Sequence, residues 1–311
     1  LEITGNPALA GFTASKIMWV KKHEPESFKR CRHILLPKDY IRYMLTGVYA
    51  TDVSDASGMQ LLDVGKRYWS DEVLEQLGID RDLLAKVYES PEVTGYVSEA
   101  ASKLCGLKEG IPVAAGAGDN AAAAIGTGVC ENGKAFTTIG TSGVVFAHTD
   151  EMIFDPKGRI HTFCCAVPGA WHVMGVTQAA GLSLSWFKNQ FAGDLSYREI
   201  DNLCENIPIG SDKLIYLPYL MGERTPVLDT NARGVFFGLS AMHTRAHMAR
   251  AVMEGVSYSL KNCLDVLCEV GVAAADMALC GGGAKGSFWR GMIADLFNMP
   301  VKIMQSEEGP A

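Results

Sequence analysis

The chain has 311 residues, 48% of them hydrophobic and 20% charged, with a formal net charge of −7. At roughly 150 residues per domain this length predicts two globular domains, and the mixed acidic and basic residues exclude both a nucleic-acid footprint and a basic membrane patch. No apolar run nears the about 20 residues of a bilayer-spanning helix, and nine cysteines without a C-x-x-C pair fit thiols of a reducing, cytoplasmic compartment rather than a disulfide framework.

The chain opens on Leu1-Glu2-Ile3 without a methionine and stops at Glu307-Glu308-Gly309-Pro310-Ala311, just after a predicted strand. It therefore reads as an internal piece of a longer protein. Gly11-Phe12-Thr13-Ala14-Ser15 precedes a predicted helix, Lys16 to Lys22, that Pro25 ends. A second helix fits Pro37 to Leu45, with proline at its start and Gly47 just past its end. Tyr49 to Asp63 is polar and dotted with Gly and Ser, and Asp71 to Leu77 is helical. Between Ile111 and Gly128 the pattern is strand, glycine turn and alanine-rich helix. A domain boundary is expected at Cys130 to Lys134, where Glu131-Asn132-Gly133 punctuates the chain, dividing it into 1–130 and 131–311.

Beyond that point, Ala135 to His148 reads as two strands around Gly140-Thr141-Ser142-Gly143, and Ile160 to Val167 with Ala170 to Thr177 as a second pair around Pro168-Gly169. Adjacent Cys164 and Cys165 should then point to opposite faces, one of the two in the core. A helix from Gly181 to Phe191 follows. The longest predicted helix lies between Thr244 and Val270, where Ala249, Val252, Met253, Val256, Leu260, Cys263, Leu264 and Leu267 keep the 3.6-residue period. A strand from Met277 to Cys280, a glycine loop, a helix from Ser287 to Phe297 and a strand from Val301 to Met304 close the series. Such alternation indicates α/β layers.

Three glycine-rich turns end predicted strands: Gly116-Ala117-Gly118-Asp119, Gly140-Thr141-Ser142-Gly143 and Gly281-Gly282-Gly283-Ala284-Lys285-Gly286. Glycines let successive N–H groups face one concavity that attracts anions, and a helix opening from such a loop adds the positive end of its dipole. The third loop also satisfies G-x-G-x-x-G between strand and helix, with Glu307 about 20 residues on, so an NAD-dependent oxidoreductase is the rival to a nucleotide-triphosphate site. No G-x-x-x-x-G-K-[ST] occurs, which excludes a Walker loop. Asp119 and Asn120 have two readings, a helix cap or a catalytic acid–amide pair. His243 and His247 are four residues apart without a third ligand, which favours surface histidines over a metal site.

Taken together, several segments resemble the FGGY family of carbohydrate kinases, and within it the xylulokinases. They are Thr4-Gly5-Asn6 with Gly11-Phe12-Thr13-Ala14 ahead of Trp19, Thr51-Asp52-Val53-Ser54-Asp55-Ala56-Ser57, and Gly116 to Asn120. Gly140 to Val144, Gly222-Glu223-Arg224-Thr225-Pro226, Arg250 to Val256, and Gly281 to Lys285 with Trp289-Arg290 complete the set. The resemblance implies a ribonuclease-H-like, actin/hexokinase-type two-domain ATPase fold. The first domain would be incomplete, the second would lack its closing helices, and such a fragment would be inactive alone.

It further implies ATP and Mg2+ as cofactors and a small-molecule sugar, D-xylulose or another ketose or polyol, as acceptor. By the resemblance, Asp119 is the general base and, with Asn120, binds the sugar. Gly140, Thr141 and Ser142 would meet the β/γ-phosphates, and Gly281, Gly282, Gly283, Ala284 and Lys285 the adenosine and α-phosphate. Arg224 either faces the cleft or pairs with Glu223. Mg2+ would be held mainly by phosphates and water, and no direct protein ligand is assigned within 1–311, since the resemblance puts the likeliest carboxylate in the missing upstream segment. A homodimer is a further family expectation, and a catalytically silent binding relative is the third class.

Overall fold

A computed structural model describes residues 1–304. The N-terminal part is built from helices and short strand pairs around one apolar core that includes Val53, Ala56, Met59, Leu61, Leu62 and Trp69. The helix predicted from Lys16 spans Thr13–His23, with Trp19 inside it and half exposed. The Pro37 helix runs Pro37–Thr46 and ends on Gly47, whose φ of 72° is the left-handed cap that glycine accepts without steric penalty.

The stretch from Tyr49 to Asp63, polar and dotted with Gly and Ser, is largely buried from Ala50 onward. Ala50–Asp52 forms a strand parallel to Lys86–Tyr88, and a helix, Val53–Ser57, follows at once. Its polar residues serve as internal partners. Asp52 caps the helix by accepting from the N–H groups of Ser54 and Asp55, and Ser57 Oγ donates to the Val53 carbonyl. Polarity here marks a cap buried in the core, not contact with water.

The C-terminal part is a six-stranded sheet. From one edge its strands are Val301–Ile303, Ala274–Cys280, Gly133–Ile139, Gly143–Thr149, Trp171–Thr177 and His161–Cys164. Gly133–Ile139, Gly143–Thr149 and Trp171–Thr177 are successively antiparallel, whereas Ala274–Cys280 joins Gly133–Ile139 in parallel and Val301–Ile303 continues in parallel. The helix Arg245–Glu269 lies across this sheet with Val252, Val256, Leu260 and Cys263 fully buried. It comes close because Gly175 has no side chain: a Cβ there would stand 2.7 Å from Cys263 Cβ. The helices Gly181–Phe191 and Ser287–Phe297 have the predicted bounds.

The outermost strand, His161–Cys164, is buried at all four positions although only Trp171–Thr177 pairs with it. The N-terminal part covers its open edge with side chains. Asn6 Nδ2 donates to the Thr162 carbonyl at 2.8 Å, and the Cys164 N–H donates to Ser57 Oγ at 3.1 Å. Burial on both sides also corrects the expectation for the adjacent cysteines. Cys164 packs into the N-terminal core, and Cys165, on the other side, is just as buried.

Candidate active site

After the strand Pro112–Ala114 the chain turns through Gly116, whose φ of 80° requires the left-handed region, and enters the helix Asp119–Gly126. Gly118 occupies the N-cap position and has no side chain with which to cap. Asp119 is therefore the first helical residue rather than the cap, and its exposed carboxylate stands at the positive end of the helix. Its Oδ1 accepts from the Asn120 N–H at 2.7 Å and from Asn120 Nδ2 at 3.2 Å, which orients the group.

The turn rests on a charged floor. Gly118 N–H donates to Ser54 Oγ at 3.0 Å, and Ser54 Oγ donates to Asp52 Oδ2 at 2.5 Å. Lys38 Nζ lies 2.8 Å from Asp52 Oδ1 and 2.9 Å from Asp39 Oδ1, and it donates to the Ala115 carbonyl at 3.2 Å. Arg42 donates to that same carbonyl and to Asp39. Burial opposes the charge of Lys38, but Asp52 and Asp39 outweigh it and raise its pKa above the ordinary lysine value. Asp55 lies against Gly118, where a Cβ would stand 3.5 Å from its Oδ1. Burial pushes its carboxyl up to about 6; Lys38 opposes this, while Asp52, Asp39 and Asp119 add to it.

The other two glycine turns meet. Gly133–Ile139 and Ala274–Cys280 are neighbouring parallel strands, with Thr138 opposite Cys280, so both turns emerge at the same end of the sheet. The carboxyl end of parallel strands is where α/β sheets bind ligands. Here the turns frame a cavity of about 920 Å³ lined by Gly140, Thr141, Gly282, Gly283 and Lys285, among others. Gly281, with φ of 83°, rides over the Ile139 carbonyl, where a Cβ would come within 2.8 Å. The hairpin tip is tied down by the start of the next helix. Gly181 N–H donates to the Gly140 carbonyl at 2.7 Å, and the N–H groups of Ala180 and Leu182 donate to the Thr141 carbonyl at 3.0 and 3.1 Å.

Ser142, Gly281 and Ala284 are not in the lining: Ser142 accepts from Gly140 N–H through its carbonyl, and Ala284 is buried beneath the loop. Asp119 and Asn120 also stand outside this cavity. A wall that the sequence reading did not assign comes from the helix Tyr197–Glu205, through Tyr197, Arg198, Asp201, Asn202 and Glu205. Its signal was available in Ser196-Tyr197-Arg198-Glu199, the S-x-x-E pattern of a capping box, which the structure forms in both directions.

Of the two readings of Arg224, the ion pair with Glu223 is not formed by its side chain. The Glu223 carboxylate accepts from Thr177 Oγ1 at 2.6 Å, Gln178 N–H at 2.9 Å and the backbone N–H of Arg224 at 2.7 Å. The Arg224 guanidinium donates instead to His161 Nε2 at 2.6 Å, and His161 Nδ1–H then donates to Asn6 Oδ1 at 2.7 Å. Burial and then Arg224 lower the His161 pKa to about 3, so the imidazole is neutral and Nε2 can accept. His243 and His247 make local contacts, with Ser240 and with Thr244 and Asp212 respectively. Among the described residues no group of three or more His, Cys, Asp or Glu is arranged to hold a metal ion.

Residues 1–126 match the N-terminal domain, and residues 135–311 the C-terminal domain, of the FGGY family of carbohydrate kinases. The chain belongs to the FGGY family of carbohydrate kinases. Its FGGY relatives include the xylulose kinase of Bacillus subtilis (strain 168), 43% identical over 311 residues, which are 100% of this chain and 62% of that protein. The crystal structure of ligand-bound xylulose kinase from Lactobacillus acidophilus superposes with a TM-score of 0.94 at 29% identity, covering 99% of this chain and 63% of that one. A gluconate kinase from the same organism gives a TM-score of 0.93, also at 29% identity, with 99% and 63% covered.

This FGGY chain has the two-domain, actin- and hexokinase-like ATPase fold of such neighbours. The C-terminal FGGY match runs through Gly281–Gly286, which removes the dinucleotide reading of that loop. Its geometry differs too, because a 3-10 turn, Gly282–Lys285, comes before the helix at Ser287. Glu307, the acid paired with the loop in that reading, lies outside the described residues.

Proposed function

We propose that the full-length protein transfers the γ-phosphoryl group of MgATP to a hydroxyl of a sugar, with D-xylulose as the acceptor and D-xylulose 5-phosphate and ADP as products. The observation that carries this reading is the convergence of the Gly140 turn and the Gly281 loop on one cavity in an FGGY chain. Phosphoryl transfer asks a protein chiefly for in-line positioning and charge neutralisation. The cavity offers a Thr141 hydroxyl, glycine backbone and the cationic Lys285 and Arg290, a donor set that suits a triphosphate. Asp119 accepts the proton of the sugar hydroxyl as its oxygen bonds to the γ-phosphorus and the bridging oxygen leaves with ADP. Asn120 offers an amide that can both donate to and accept from sugar hydroxyls. Mg2+, when bound, neutralises phosphate charge.

The 35–43% identity to several xylulose kinases favours D-xylulose over the gluconate of the structural neighbour. A coupled ADP-release assay of the full-length protein on D-xylulose, D-ribulose, D-gluconate and glycerol tests the reading, with D-xylulose expected to give the highest kcat/KM. Sugar binding without ADP release from any of them would sink it. With this reading go a sugar-binding part ending near residue 130, a nucleotide-binding part from 131, a cytoplasmic setting, a homodimer and inactivity of residues 1–311 alone. No helix among the described residues is long and apolar enough to cross a membrane.

A further inference from the structure

Behind the Gly140 turn, and outside the lining of its cavity, stands a buried acid, Glu223, only 3% exposed. A carboxylate so buried needs its lone pairs filled. One oxygen accepts from the N–H groups of Gln178 and Arg224. The other accepts from Thr177 Oγ1, which itself accepts from Ser259 Oγ at 3.0 Å. The segment that carries Glu223 is fixed in turn. Thr225 N–H donates to the Val176 carbonyl at 2.9 Å, and Thr225 Oγ1 accepts from Val176 N–H at 3.1 Å. Glu223 therefore grips the last residue of the strand Trp171–Thr177 and the residue after it.

Two routes lead from this grip to the turn. Thr177 lies opposite Gly143, which closes the turn, and a Cβ on Gly143 would stand 2.7 Å from Thr177 Cγ2 and 3.0 Å from Ala180 Cβ. Threonine is stiff at χ1, so holding its hydroxyl also holds the methyl that packs on Gly143. Gln178 leads directly into Ala180, Gly181 and Leu182, whose N–H groups donate to the Gly140 and Thr141 carbonyls. We propose that Glu223 is a positioning residue for the nucleotide: by fixing Thr177 and Gln178 it keeps the Gly140–Gly143 turn in the shape that meets the phosphates. The inference deepens the kinase reading above and rests on that turn being part of the ATP site.

The experiment measures KM for ATP and for D-xylulose, and the Kd of ATP by calorimetry, in the full-length protein and its Glu223→Ala and Glu223→Gln variants. Glu223→Ala strands two backbone N–H groups and frees Thr177. KM and Kd for ATP should rise about tenfold, with KM for D-xylulose within about twofold of the parent. Glu223→Gln keeps an oxygen for the two N–H groups and offers an amide N–H that Thr177 Oγ1 can accept, so it should recover most of the loss. A purely structural role would lower the active fraction, and with it Vmax, but leave both KM values where they were. An unchanged KM for ATP in Glu223→Ala, or both KM values raised alike, overturns the proposal. If Glu223→Ala does not fold, Thr177→Val takes its place, because it deletes the 2.6 Å hydrogen bond to Glu223 and keeps the bulk. KM for ATP should then rise about threefold, and an unchanged value is again fatal. A full-length protein that binds ATP but phosphorylates no sugar sinks the function and leaves the calorimetric comparison to decide this inference; an active one whose ATP affinity ignores Glu223 sinks only the inference.

Discussion

Asp119 has one oxygen held by Asn120, so an Asp119→Asn exchange keeps the shape of the side chain and deletes its charge. In the full-length protein kcat should fall about 10²- to 10⁴-fold, the usual contribution of a positioned base, while the Kd for ATP measured by calorimetry changes little. A loss in ATP affinity as large as the loss in kcat would take Asp119 out of the proton transfer. From the local sequence Asp119 and Asn120 could be a helix cap or a catalytic pair, and the structure makes Asp119 the first helical residue rather than the cap. Their supports were not legible. Ser54 reaches Gly118 across 64 residues, Lys38 reaches Ala115 across 77, and Arg224 finds His161 across 63. No local pattern encodes such pairings, and Arg224 beside Glu223 in sequence invited an ion pair that the fold does not make.

At the scale of elements, the long helices were the most readable, since apolar period, proline starts and glycine ends all agree over many residues. The short strand pairs of the N-terminal part, such as Ala50–Asp52 with Lys86–Tyr88, were not, because three residues cannot display a period and their partners are remote. Two substitutions probe elements that position the candidate site. Ser196→Ala removes one half of the capping box on the helix that walls the cavity and should lower stability by about 1 kcal/mol in urea titrations. Gly175→Ala places a methyl against Cys263 and should destabilise by about 1–3 kcal/mol through overpacking of the Arg245–Glu269 helix on its sheet. A neutral Gly175→Ala would mean that the helix and sheet can move apart freely.

At the scale of the whole molecule, buried imidazoles set the response to acid. His161 and His172 are each lowered to about 3, both chiefly by burial, with Arg224 adding at His161 and His148 and His161 at His172. In the unfolded chain both take a proton near 6.5, so each favours unfolding as pH falls from there toward 3. Asp55 works the other way. Its folded value of about 6 lies above the unfolded one near 3.9, so it holds a proton in the folded state that the unfolded chain releases. Between pH 6 and 4 the unfolded state therefore binds two protons at the histidines and the folded state one at Asp55. The net of one should cost about 1.4 kcal/mol of stability per pH unit of acidification. Thermal melts at pH 6 and pH 4.5 measure it, and Tm should be lower at pH 4.5. A His172→Phe variant should flatten the slope.

The outermost strand carries a different consequence, for the colloidal behaviour of any dissected piece. His161–Cys164 has paired backbone on one side only, and Asn6 and Ser57 occupy its other side in place of a further strand. Cutting the chain near residue 131 would leave the Thr162 carbonyl and the Cys164 N–H facing outward from a strand that is buried at all four positions in the whole chain. Such an edge recruits another of its own kind. Residues 131–311 expressed alone should therefore elute from size exclusion as multimers, and a Thr162→Pro change, which removes an N–H and stiffens the edge, should reduce that association. The N-terminal part is thus expected to keep the six-stranded sheet from associating edge to edge.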